Sequence, residues 1–85
     1  MYDIKYKLDS IVTGGYNPFH NELLLSDYCC LAYLKEGERG WFLAFYKGEE
    51  IPHRVQTSII QKVVKNNDAI VVSTEHTDYT FVETK

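Results

Sequence analysis

The chain is poor in several things that common function classes require. Of its 85 residues only two are cysteine, Cys29 and Cys30, and they are adjacent. Neighbours on an extended segment point to opposite faces, and a bridge between them would be strained. That excludes a disulfide framework, and a reducing compartment, the cytoplasm, is expected. Two prolines and five glycines are too few for a collagen-like or low-complexity chain. No apolar run approaches the ~18 residues of a membrane-spanning helix, and Met1-Tyr2-Asp3-Ile4-Lys5 has no signal-peptide pattern. No membrane role is expected. Positive charge is also scarce. Nine Lys and Arg stand against twelve Asp and Glu, for a net charge of -3, and only Arg39 and Arg54 are arginines. A protein gripping a nucleic-acid backbone usually carries a basic surplus, so nucleic acid is not expected as a partner.

Rings are plentiful. The chain is 45% hydrophobic and 14% aromatic, with seven Tyr, four Phe and one Trp. This is ordinary globular composition, and the length allows one domain, residues 1–85. Tyrosine suits strands, but its hydroxyl also favours a wet edge, so part of this aromatic surface is expected at an interface.

Periodicity points to β-structure. Tyr2, Ile4, Tyr6 and Leu8 alternate with Asp3, Lys5, Lys7 and Asp9, which predicts a strand over 2–13 with a bulge or bend at Asp9-Ser10. Residues 14–21 form a loop around Gly14-Gly15 and Asn17-Pro18, with room for a helical turn starting near Asn17 or Pro18. Tyr28–Leu34 and Trp41–Tyr46 read as antiparallel partners joined by the charged tip 35–40. Pro52 breaks any ladder, so Ile51-Pro52-His53 is an edge or a crossing. Residues 54–65 fit two periods. Val55, Ile59, Ile60, Val63 and Val64 make a helical stripe, whereas Val55, Thr57, Ile59 and Val63 share a strand face. Their β-branched side chains favour the strand. Turn chemistry at 65–68 and 75–78 then separates strands over 69–74 and 79–82. The expected fold is mainly β: a small antiparallel barrel or roll, SH3-like topology being one solution, with at most one helix. A sheet covered by a helix built from 54–66 is the other solution.

Catalytic patterns are missing. His20, His53 and His76 lack ligand spacing, so no metal is expected. No serine sits in an elbow motif, and a cysteine in an apolar strand is ordinarily inert core. Gly14-Gly15 is not followed by Lys-Ser/Thr, so it is no phosphate loop. Neither an enzyme nor a cofactor is expected. What remains is recognition. Arg54 follows a stiff Pro-containing segment and carries the geometry to grip an anion, with the Thr57 and Ser58 hydroxyls as helpers. Its alternative is an ion pair with Glu49 or Glu50. The ring-bearing loop with Tyr16, Phe19 and His20 fits a planar ligand, or else lids a barrel end. Tyr79 is a further stacking candidate.

The segment Arg54-Val55-Gln56-Thr57-Ser58-Ile59-Ile60-Gln61-Lys62-Val63, with Val72-Ser73-Thr74 and Thr77-Asp78-Tyr79-Thr80-Phe81, carries a likeness. It resembles the closing hairpin of very small phage- and prophage-encoded proteins. There a T-S-x-[IV]-x-x-V strand pairs with a V-x-T-x-x-[ST]-x-Y-x-[FL] strand. The resemblance implies an accessory protein acting in the host cytoplasm, of the kind that counters bacterial defence. Some such proteins sequester nucleotide immune signals as oligomers, and others block a host enzyme by direct contact. It carries no binding residue over to this chain. The expected function is a non-enzymatic, homo-oligomeric protein that holds a small anionic, nucleotide-like ligand through Arg54, Thr57, Ser58, Tyr16, Phe19 and Tyr79. The alternative is a protein-binding inhibitor of a host enzyme. Oligomerisation is expected from surplus rings and from strand edges open to pairing.

Overall fold

The computed structural model describes residues 4–15 and 18–84. Six antiparallel strands close into a barrel in sequence order: β1 (Tyr6–Thr13), β2 (Tyr28–Tyr33), β3 (Arg39–Phe45), β4 (His53–Asn66), β5 (Ala69–Thr74) and β6 (Thr77–Glu83). One helix, α1 (Pro18–Leu24), joins β1 to β2. Among the described residues no helix is long and apolar enough to cross a membrane.

Several expectations hold in detail. The 54–65 segment is extended, β2 pairs with β3, and the Asp9 bulge appears as a register shift between Leu8 and Ser10 in the β1–β6 ladder. The 65–68 turn places Asn67 at φ 54°, a left-handed conformation that Asn tolerates. The loop of 14–21 is shorter than expected, because α1 starts at Pro18. Proline lacks only an N–H that the first helical turn leaves unpaired anyway. Leu23 fixes α1 to the barrel, and the Lys7 ammonium donates to the carbonyls of Leu24 and Ser26 at its C-terminal end.

The strand edges expected to be open are only partly joined. β1 pairs with β6 along its whole length and meets β2 at the one pair Tyr6↔Cys29. Ring closure thus shortens the edges that argued for oligomers.

β4 does two jobs. Its first half pairs with β3, from Ala44↔His53 to Arg39↔Ile59, and its second half with β5, from Ile60↔Thr74 to Asn66↔Ala69. Register shifts in both ladders bend the strand between its two partners. The core is built from Tyr6, Leu8, Leu23, Cys29, Phe42, Ala44, Val55, Ile60, Val72, Tyr79 and Phe81. Phe42 sits at its centre, edge-on to Phe81 (5.1 Å between centroids) and to Tyr79 (6.2 Å). The two thiols lie on opposite faces, both are buried, and neither is in a disulfide.

Burial pushes both thiols up, most of all by desolvation. For Cys29 the hydrogen bond with Ser26 and the Lys7 charge pull the other way. Burial also raises the Tyr6, Tyr46 and Tyr79 phenols. Groups kept neutral by the fold ionise first in the unfolded chain. The stability they contribute is complete below the unfolded pKa values and is lost above them, about 8.5 for a thiol and about 10 for a phenol. The urea midpoint is therefore expected to fall between pH 9 and pH 11. Cys29→Ala removes part of the earlier, thiol section of that slope, Cys30 supplying the rest. A midpoint that rises over this interval contradicts the account.

Candidate binding site

α1 lies across one end of the barrel, where β1 finishes, β6 begins and the first half of β4 passes. Between them is a pocket of about 450 Å³ lined by Thr13, Gly15, Phe19, His20, Leu23, Val55, Gln56, Ser58, His76, Thr77 and Tyr79. That volume falls within the range of small-molecule sites, about 300–1,000 Å³. Backbone pairing builds the rim. The Gly14 N–H donates to the His76 carbonyl (3.3 Å), and the Thr77 hydroxyl donates to Thr13 Oγ1 (3.2 Å). Thr74 Oγ1 donates to the Thr77 carbonyl and stiffens the β5–β6 turn.

The walls combine rings with polar groups. Phe19 projects from α1 and is 45% exposed, whereas Tyr79 is 7% exposed and belongs equally to the core. His20 stands edge-on to Tyr79, with centroids 6.0 Å apart and planes at 83°. Its Nδ1 is buried and has no hydrogen-bond partner. Such an orphan is uncommon in a folded protein and costs about 1–3 kcal/mol. No lysine or arginine lines the pocket, and Glu75 and Asp78 border the adjoining groove.

The pocket gathers three of the residues expected from the sequence: Ser58, Phe19 and Tyr79. Tyr16 lies outside the described residues. Thr57 and Arg54 are elsewhere. Thr57 points inward and is 2% exposed; its Oγ1 accepts from the Gly40 N–H (2.9 Å) and donates to the Ser58 carbonyl (2.7 Å). The hydroxyl's one proton is spent on the β4 bulge, and its burial keeps it from a ligand at the surface. Arg54 stands on the outer face of β4 with its guanidinium 4.5 Å above the centre of the Trp41 ring. The ion pair weighed for it against Glu49 or Glu50 does not form. His53 takes Glu49 instead, at 2.8 Å. Strand alternation turns Thr57 to the interior while Arg54 faces out, so the Thr57 hydroxyl does not join Arg54 in an anion grip.

Thr13, His76 and Thr77 are pocket residues that sequence reasoning missed, and His20 was read only as part of a ring-bearing loop. Thr13 and Thr77 meet because the first strand pairs with the last, a contact between distant segments that no local pattern reveals. Among the described residues no group of three or more His, Cys, Asp or Glu is placed to hold a metal ion. Comparison with known proteins returns no match, whether to a family model, a curated protein or a solved structure, so the functional reading rests on this geometry.

Proposed function

We propose that the protein is a non-enzymatic binder of a small, planar, polar molecule of the nucleobase or nucleoside class, held in the pocket under α1. The observation that carries this reading is the buried, unpartnered His20 nitrogen at the wall of a pocket that also offers rings and hydroxyls. A ligand that brings a polar atom to that imidazole removes a standing desolvation cost. Phe19 and Tyr79 supply ring surface, and Thr13, Ser58, Gln56 and Thr77 supply donors and acceptors. With no cation at the wall, a phosphate gains nothing inside the pocket, so the base and sugar are the parts recognised. His20 and His76 make no hydrogen bond to a hydroxyl or thiol among the described residues, which favours holding over turnover. In the phage setting implied by the hairpin resemblance, such a protein acts by sequestering a nucleotide signal through its base.

Titration of labelled protein with adenosine, guanosine, cytidine and uridine, followed by amide NMR, tests this. At least one nucleoside is expected to shift the Thr13, His20 and Thr77 amides, and its 5′-monophosphate to bind within about threefold as tightly. His20→Phe is expected to weaken binding tenfold or more while the protein stays folded. If no nucleoside moves those amides, or if only the phosphorylated forms bind, the reading is wrong.

A second reading, direct contact with a partner protein, also has support. Leu25 and Ile51 are each 79% exposed, and Leu25 shares a groove with Glu22, Glu49 and Phe19. That acidic, apolar corner suits a partner with basic and apolar groups.

A further inference from the structure

The net charge of -3 is unevenly spread. β2, β3, β4 and β5 contain no Asp or Glu at all, while β3 and β4 hold Arg39, Arg54, Lys62 and Lys65. The acids are confined to turns, α1, β1 and β6, apart from Asp3, which lies outside the described residues. A whole-chain average therefore hides a wall with cations and no acids.

That wall also carries rings. On the outer face of β2 and β3, Tyr28 stacks on its cross-strand partner Phe45, with centroids 4.6 Å apart and planes at 10°. Lys5 Nζ sits 4.6 Å from the centre of the Tyr28 ring. Further along β3, beyond Leu43, Trp41 bears the Arg54 guanidinium and has no ring neighbour among the described residues. Lys5 and Arg54 have no carboxylate partner among the described residues either. Each cation is held against a ring, and among the described residues no carboxylate answers its charge. A guanidinium held over an indole face still has N–H groups to offer a phosphate.

We propose that this outer wall of β2–β4 binds a short single-stranded nucleic acid, with Trp41 and Phe45 stacking on bases and Arg54 and Lys5 on phosphates. Ring surface and cations along one strand track are what sequence-tolerant recognition of a single strand requires. β3 has seven residues, a rise of roughly 23 Å, and suits the short end of the roughly 4–16-nucleotide sites of small barrels. A duplex keeps its base faces stacked internally and cannot use the rings. A second copy of the chain fits poorly, because a two-fold face-to-face contact brings Arg54 and Lys5 toward the same cations across an interface without acids. The proposal is independent of the pocket reading, since neither Trp41 nor Arg54 lines that pocket.

Fluorescence anisotropy with a labelled eight-nucleotide oligothymidylate tests it, with a duplex of equal length as control. Two phosphate contacts predict about a sevenfold loss of affinity between 50 and 200 mM salt, from a slope of about −0.7 per phosphate. Arg54→Gln, at an exposed position that leaves the core untouched, should reduce that loss to about 2.6-fold. Trp41→Ala should weaken binding about tenfold with the salt response unchanged. His20→Phe, which removes the pocket nitrogen, should leave strand binding intact, so the two sites succeed or fail separately. No binding at millimolar strand, a salt response unchanged in Arg54→Gln, or binding to the duplex as tight as to the single strand would overturn the proposal. So would a Trp41-dependent dimer in sedimentation that takes up no strand.

Discussion

Replacing Phe42 by alanine is expected to remove about 3–5 kcal/mol of the protein's stability, a large share of the total. Phe42 is completely buried and presents its ring edge-on to both Phe81 and Tyr79. Removing it forfeits the transfer free energy of the ring and leaves a cavity walled by β-strands, which close in only slightly. Phe→Ala changes of this kind cost about 3–5 kcal/mol. A domain of this length has roughly 4–13 kcal/mol in total, at roughly 0.05–0.15 kcal/mol per residue. Phe42→Leu, which fills most of the volume, should lose well under half as much. The single tryptophan, Trp41, is the next residue in β3 and reports unfolding directly. Urea curves for the three proteins decide the matter. If the alanine variant loses less than about 1.5 kcal/mol, the core is not organised around this ring. Tyr79 also faces the pocket, so Phe42→Leu is expected to weaken nucleoside binding through a shifted pocket floor.

The local pattern of the chain made most strands legible. Alternation at Tyr6–Leu8, the β-branched run from Val55 to Val64, and Asn67 in its turn each act within a few residues of sequence. The preference of Val, Ile and Thr for the sheet decided the 54–65 segment against a helix whose apolar stripe was equally regular. A barrel or roll was legible as a class, but the residue pairs that close it were not. Closure depends on Tyr6 meeting both Cys29 and Glu83, contacts of long sequence separation. The candidate site shows the same division. Phe19, Ser58 and Tyr79 were readable as polar or ring-bearing residues near turns. Their meeting in one pocket was not, because Phe19, Ser58 and Tyr79 come from α1, β4 and β6 and are brought together only by the closed barrel. Thr57 and Ser58 are adjacent hydroxyls in sequence, yet one is interior and bonded while the other lines the pocket. The distribution of charge was not legible either: the sum of -3 is a whole-chain figure, while among the described residues the fold collects the acids into turns, α1, β1 and β6.

Gly40→Ala is expected to destabilise the barrel nearly as much as the loss of a core ring, through one added methyl group. Gly40 is buried in β3 opposite the β4 bulge, where Arg39↔Ile59 is followed by Trp41↔Gln56 and two β4 residues face one on β3. A β-carbon there would lie 2.6 Å from Ile60 Cδ1, 2.6 Å from the Tyr33 carbonyl oxygen and 3.3 Å from Leu34 Cδ2. The two side chains can turn away. The carbonyl belongs to the backbone of β2 and moves only if the strands separate. Overpacking typically costs about 1–3 kcal/mol and exceeds that when backbone must shift. The Gly40 N–H also donates to Thr57 Oγ1, which satisfies the donor that the bulge leaves without a ladder partner. Thr57→Val in the native background should therefore cost about 1–3 kcal/mol, because it strands that N–H in the interior. Once alanine at 40 has pushed β3 away, the bond is already lost, and Thr57→Val should add much less. A double-mutant cycle measured by urea unfolding is expected to show at least about 0.5 kcal/mol of such sub-additivity. Strict additivity would mean that the hydroxyl and the glycine act separately, and that the bend of β4 is held by something other than their contact.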